Sequence, residues 1–471
     1  MKKFLTCLLY GLPVIFFGVC YFLMTVWGED IIQGAGTAPD VWNDIVGAFR
    51  HNSRLSDMYA WTVINFFDFQ YSFGVDTIFR LIDVAMATGI IYLLASLILG
   101  RWPRLQLKDS LVFALSFLVI LVTPHGYTLY RGFSVIHNYL IIGLATVAFG
   151  LPFVRSLAGQ KVPKIYQKWW FALIIGLIFG MSSNITPIAF LISFVLVKLW
   201  QMWQFNRKKS EISEKSEGEA GKVAWKIPAW QGWMLAGMVI TVAVAYIFGA
   251  GVSTYTNNPV YTETYDYLAF SEILTNFGGS LVRVVKHIVV NFGYSFGLIL
   301  GMAMILGGLA WVTSKVQGRK FRILPTSSSE CGVVVGCVVF ATIYLLCGSQ
   351  IMLPVRLALP AYLALVVALG VLVYDWWIRS ELTENVAIGV LMAVLMVAMV
   401  IIKADFALEY RAQMAQVLTA IEAAPDEVVC ISPEIARPKK LPFINLGQDE
   451  TFAEWALLYM TVYGKEVRVC E

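Results

Sequence analysis

Charge is what this chain of 471 residues has least of: Asp, Glu, Lys and Arg make up 14%, against 58% hydrophobic residues. Soluble globular domains run near a quarter charged, so the composition excludes an ordinary soluble fold. Mean hydropathy is +0.71, which fits a chain whose solvent is mostly lipid, with many spans rather than one anchor. Cysteine is sparse, seven residues without a CxxC pair or metal-ligand spacing, which excludes a cysteine-based metal centre. A P-loop, a dinucleotide-binding glycine pattern, a GxSxG elbow and an HExxH motif are all missing, and the soluble-enzyme classes they mark go with them. The net charge of +4 carries no nucleic-acid signal, and no nucleic acid is expected as a partner.

What the chain does have is long apolar runs. Runs able to cross about 30 Å of hydrocarbon lie near residues 4–26, 79–100, 109–123, 133–154, 169–183, 186–200, 232–250, 284–313, 329–348, 351–374 and 385–402. They predict an all-α polytopic membrane protein of about eleven transmembrane helices. The first run is longer than a signal-peptide core and no small-x-small cleavage site follows it, so it is expected to be a retained span.

The loops alternate in charge. Lys2 and Lys3 precede the first run, and Arg101, Arg104 and Lys108 follow the second. Arg155, Lys161, Lys164 and Lys168 follow the fourth, the stretch Asn206 to Lys222 follows the sixth, and Lys315, Arg319, Lys320 and Arg322 follow the eighth. Every second loop is basic, which predicts a cytoplasmic N-terminus and an extracytoplasmic C-terminus in the cell membrane. The transmembrane domain would then cover residues 1–402, with a first outer loop at 27–78, a cytoplasmic linker at 201–231 and a fourth outer loop at 251–283. Residues 403–471 would form a small α/β extracytoplasmic region, with DEVVCIS as a short strand and TFAEWALLYMTVYG as an amphipathic helix. A disulfide between Cys430 and Cys470 is open to a tail in that compartment.

By this topology His51, His125, His137 and His287 all fall in the outer half, so chemistry is expected there. Glu29 and Asp30 stand side by side where the first run stops. A lone carboxylate there reads as an interface marker, but an adjacent pair repels, and one member can serve as a general base or a metal ligand. Asp40 and Asp44, further along the loop, read as solvated helix caps. The stretch FRHNSRLSDMYAW follows, with Arg50, His51 and Arg54 close together and Asp57 after them. It reads equally as a surface helix and as a cationic cluster for a phosphate-bearing substrate. Polar residues interrupt later runs near their outer ends: His137 and Asn138, Asn184, Lys286, His287 and Asn291, and Arg356. Ionisable groups in lipid face a cavity or a partner, and for Arg356 an ion pair with Glu263 or Asp266 is the alternative to a substrate role.

These residues together resemble the GT-C superfamily of membrane glycosyltransferases: a carboxylate pair after the first span, a long first outer loop, ten to thirteen spans and an outer C-terminal domain. More narrowly, the chain resembles an uncharacterised bacterial polytopic family related in layout to O-antigen glucosyltransferases. Asn52-Ser53-Arg54 stands where that family tends to have Asn-Gly-Arg, and Asn138-Tyr139-Leu140 matches its Asn-Tyr-Leu. Gly180 to Asn184 stands where a Gly-x-Ser-x-Glu-like segment is expected, so Asn184 replaces a carboxylate. The tail TFAEWALLYMTVYGKEVRV resembles the closing Trp…Tyr-Gly segment.

The resemblance implies transfer of a sugar from a polyprenyl-phosphate donor to a glycan or lipid acceptor. Asp30 would take the acceptor proton, while Glu29 would hold a sugar hydroxyl or, with Asp30, an optional Mg²⁺ or Mn²⁺. Arg356, Arg54 and Arg50 would bind the donor phosphate. His51, Asn52, His137, Asn138, Asn184 and His287 would contact substrate. Two other functions share the pattern: a lipid-linked polysaccharide polymerase or ligase, and a transporter or flippase, although matching broken-helix halves of the kind transporters carry are not evident.

Overall fold

The computed structural model describes residues 1–23, 54–65, 75–123, 126, 129, 133–183, 185–213, 227–248, 275–325, 327–348, 358–382, 385–425, 428–431 and 466–469. Helices dominate. They are α1 (Lys2–Leu23), α2 (Leu55–Asn65), α3 (Val75–Leu99), α4 (Leu107–Val122), α5 (Phe133–Leu157) and α6 (Trp169–Gly180), then α7 (Thr186–Ser213), α8 (Ala229–Phe248), α9 (Phe277–Val316), α10 (Ser328–Gly348), α11 (Leu359–Arg379) and α12 (Val386–Ala423). A helix lies over each of the apolar runs. Eight of them (α1, α3, α5, α7, α9, α10, α11 and α12) hold a segment long and apolar enough to cross a membrane, while Trp169–Gly180 and Ala229–Ala245 are apolar but shorter. The chain is a multi-pass, all-α membrane protein.

Burial sorts the helices into centre and rim. Fourteen of the sixteen residues of α4 are buried, and a helix apolar all round belongs inside a large bundle. Phe16 of α1 meets Phe117 of α4 edge-on at 5.3 Å, and Phe17 does the same at 5.8 Å. On the other side Tyr362 of α11 donates its hydroxyl to the Val119 carbonyl at 2.9 Å, close to the Thr123 cap that ends α4. At the rim, α9 leaves Val289, Val290, Leu300, Met304 and Ile305 more than 60% exposed. An apolar surface of this size needs lipid around it.

The two ends of the bundle differ. At one, Arg101 clamps the fully buried Asp109 with both terminal nitrogens, at 2.6 and 2.7 Å, and the Arg104 amide adds a bond at 2.7 Å. Arg319 pairs with Glu381 at 2.6 Å on the same side, as does Arg379 with Asp375. These are the ends flanked by the basic loops. The other end carries the polar cluster described below.

Beyond the helices, β1 (Val428–Ile431) pairs in parallel with β2 (Glu466–Val469), Val428 opposite Glu466 and Ile431 opposite Val469. Parallel strands need a crossover of a dozen or more residues, and the expected helix over 451–464 falls in that connection, outside the described residues. Cys430 on β1 is disulfide-bonded, whereas Cys7, Cys20, Cys331, Cys337 and Cys347 are free; Cys470 lies outside the described residues.

Candidate functional site

The short helix α2 is held against the bundle at its first turn. The Leu55 amide donates to the Met181 carbonyl at 2.7 Å and the Ser56 hydroxyl to the Ser182 carbonyl at 3.1 Å. The first amides of a helix have no partner within it, so the turn after α6 supplies acceptors that α2 requires. That docking sets Arg54 at the entry to α2 and Asp57 in its first turn, where a carboxylate also suits the helix dipole.

From there a chain of polar side chains runs inward. Asp57 accepts the Arg54 Nε at 2.9 Å on one oxygen and the Asn138 side-chain amide of α5 at 2.6 Å on the other. Tyr59 donates its hydroxyl to one oxygen of Asp83 on α3 at 3.0 Å. His137 Nδ1 lies 2.9 Å from the other oxygen, and the Tyr59 ring stands edge-on to the imidazole with 5.7 Å between centroids. One turn before Asp83, the buried Arg80 donates to the Tyr21 carbonyl at the end of α1, and the Tyr21 hydroxyl reaches the Leu129 carbonyl at 2.5 Å. Tyr344 of α10 turns its hydroxyl toward Ser183 and Thr186, beside Arg54. Burial and the neighbouring Asp83 carboxylate hold the Tyr59 phenol far above its ordinary range, so at neutral pH it is a hydrogen-bond donor.

The cluster is layered. Side-chain exposure falls from 12% at Arg54 and 8% at Asp57 to 2% at Asp83 and 1% at His137. Both oxygens of each carboxylate face a partner, so Asp57 and Asp83 serve to fix Arg54, Asn138, Tyr59 and His137. Arg54 is the charged member nearest the surface, and a guanidinium with five donors can hold an anion as well as its carboxylate. Removing charges from water costs several kcal/mol per ion, so the buried Asp57, Arg80 and Asp83, with the part-buried Arg54 beside them, make this end a candidate site.

Of the side chains singled out from sequence, Arg54, His137 and Asn138 are brought together. His287 on α9 meets Phe292 edge-on at 6.3 Å. Glu29, Asp30, Arg50, His51, Asn52, Asn184 and Arg356 lie outside the described residues, as do Glu263 and Asp266. Sequence reasoning left Asp57 without a role, read Tyr59 in FRHNSRLSDMYAW only as an interface aromatic, and passed over Tyr21, Arg80 and Asp83. The signal was present: Arg80 and Asp83 stand three residues apart, on one helix face, inside an apolar run. Among the described residues no group of three His, Cys, Asp or Glu side chains is placed to hold a metal ion. The chain matches no family model, no curated protein and no solved structure, so its function has to be argued from this geometry and from the sequence.

Proposed function

We propose that the protein is a GT-C-type membrane glycosyltransferase of eleven crossings. It moves a sugar from a polyprenyl-phosphate donor to a cell-envelope glycan or lipid acceptor at the extracytoplasmic face. The observation that carries this reading is the buried Arg54–Asp57–Asn138 and Tyr59–Asp83–His137 cluster, which sits at the end of the bundle away from the basic loops. A lipid-linked donor needs its tail in hydrocarbon and its phosphate beside a fixed cation, and a rim of lipid-facing helices around such a cluster supplies both. The disulfide at Cys430 fits a C-terminal region in an oxidising compartment.

In the proposed reaction the acceptor hydroxyl attacks the anomeric carbon and its proton passes to Asp30. The bond from that carbon to the phosphate oxygen breaks, and the phosphate leaves with the electron pair. Arg54, steadied by Asp57, neutralises the leaving phosphate, joined by Arg356 and Arg50. Glu29 holds a sugar hydroxyl or, with Asp30, a divalent cation. His137 and Asn138 back the site through Asp83 and Asp57, with His51, Asn52, Asn184 and His287 as the substrate contacts. Because the donor already carries its leaving group, positioning and charge stabilisation account for the rate.

The test is sugar release from a panel of polyprenyl-phosphate sugars by the full chain in liposomes. One donor is expected to turn over, and Arg54→Ala is expected to raise KM for it about tenfold or more, since a charge-assisted bond to phosphate contributes about 1.5–3 kcal/mol. A protein inert toward every donor, or an Arg54→Ala variant with unchanged KM, overturns the assignment.

A further inference from the structure

At the end of the bundle opposite the polar cluster, an apolar cavity of about 130 Å³ opens between α5, α7, α10 and α11. Its wall is aromatic. Phe153, Phe179, Phe190, Phe194 and Phe340 line it; Phe190 stands edge-on to Phe153 at 4.9 Å, while Phe149 and Trp230 back Phe179 and Phe153 from outside the lining at 3.9 and 5.2 Å. Along α5 the lining runs from Thr146 to Leu157, about 16 Å at 1.5 Å per residue, which is half the hydrocarbon thickness. The lining residues of α5 therefore extend over about one leaflet. An apolar cavity stays dry and accepts apolar groups; since ~150 Å³ holds benzene, this one takes part of an acyl chain and leaves the rest in the surrounding lipid.

Its far end is polar. Lys198, Gln201 and Gln231 all line it there, with the Lys198 ammonium over the Phe194 ring at 5.6 Å. Gln231 is 2% exposed and its side-chain oxygen accepts no hydrogen bond among the described residues. A buried acceptor left unmet costs about 1–3 kcal/mol. Exposed Trp169, Trp170, Trp203 and Trp233 surround this end, and tryptophan collects at the headgroup level. The polar end of the cavity is therefore where a lipid headgroup lies.

Gly150 on α5 lines the cavity, and a Cβ there would meet nothing within 4 Å, so a large side chain at this position would project into the space.

We propose that this cavity is a binding site for an anionic phospholipid of the leaflet at the basic end. One acyl chain lies along Phe153, Phe190 and Phe194, the phosphate pairs with Lys198, and a headgroup hydroxyl donates to Gln231. On the topology proposed above that leaflet is the cytoplasmic one, where anionic lipids attract basic loops; the binding itself requires neither that topology nor transferase activity. Lys161, Lys164 and Lys168 in the loop leading to α6 add to the attraction.

The experiment is native mass spectrometry of the purified, delipidated full chain titrated with phosphatidylglycerol or phosphatidylcholine. Wild type is expected to retain one phosphatidylglycerol and to prefer it about tenfold over phosphatidylcholine, the ratio that 1.4 kcal/mol represents. Gly150→Phe, which fills the cavity, should weaken phosphatidylglycerol retention at least tenfold, while Gly301→Phe on α9, also unobstructed at Cβ, should bind as wild type does. Lys198→Gln, at a half-buried position, should abolish the headgroup preference and leave single-lipid uptake; it carries the test if Gly150→Phe does not fold. Equal retention of both lipids by wild type overturns the proposal. So does a folded Gly150→Phe that binds normally, or an unchanged preference in Lys198→Gln.

Discussion

Asp83→Asn is expected to cut sugar transfer by about a hundredfold and to destabilise the protein by about 3 kcal/mol. The side chain keeps its size but loses the charge that faces His137 at 2.9 Å. One oxygen can still accept from Tyr59, whereas the amide that replaces the other is a donor turned toward the imidazole. Arg80, also buried, stands one turn away on the same helix. Removing one partner from a buried ionic group costs about 3–5 kcal/mol, and a catalytic group displaced by 1 Å loses on the order of 10²-fold in rate. Transfer rates in liposomes and thermal unfolding in detergent read the two effects separately. Tyr59→Phe, which removes a single hydrogen bond at 3.0 Å, should lose about 1 kcal/mol. An Asp83→Asn variant that transfers and melts like wild type would mean the cluster is idle.

Gly176→Leu is expected to cost about 3 kcal/mol for a different reason. In α6 and α8 the backbones themselves touch. A Cβ at Gly176 would overlap the Met234 carbonyl, one at Gly237 the Leu173 carbonyl, and one at Gly180 the Thr241 hydroxyl. Gly176 and Gly180 form a GxxxG pair on one face of α6, the pattern by which helices in lipid approach closely. With twelve residues, α6 is about 18 Å long and too short to cross alone, so it depends on this contact. A leucine must force the pair apart, at the upper end of overpacking penalties. Gly232→Ala, whose Cβ would meet nothing within 4 Å, is the control and should be neutral or stabilising by up to about 1 kcal/mol. Equal melting of Gly176→Leu and Gly232→Ala would contradict the packing.

The helices were legible because length and apolarity are local properties. Each apolar run carries a helix, and the strand expected in DEVVCIS is β1 at Val428–Ile431. Helix ends were less so. α12 continues past residue 402 to Ala423, because ALEYRAQMAQVLTAIEA is built of strong helix formers and neither glycine nor proline interrupts it before Pro425. α9 likewise starts at Phe277, with the Asn276 side chain capping it through the Gly279 amide, ahead of the hydropathy signal at 284.

The site was legible in part. Arg54 stood out in the cationic stretch of the first loop and His137 and Asn138 at the end of an apolar run; Arg54 and Asn138 meet on Asp57, with His137 beside them on Asp83. Their partners did not stand out, since Asp57–Asn138 and Asp83–His137 join positions 81 and 54 residues apart, and periodicity reveals a helix face but not what lies opposite it. Arg80 and Asp83 were legible as two charges three residues apart in an apolar run, although their partners were not. The same holds for Gly150 and Gly176: only the packed bundle distinguishes a glycine that lines a cavity from one that lets two backbones touch.

The most direct measurement is the rate of sugar release from the donor that wild type uses, compared among wild type, Asp30→Asn and Glu29→Gln at equal abundance and equal melting temperature. The account predicts that Asp30→Asn abolishes transfer and leaves the protein folded, with a smaller loss for Glu29→Gln. Three proteins that turn over alike would make the carboxylate pair a marker of the membrane edge, and the assignment of a glycosyltransferase base to Asp30 would be wrong.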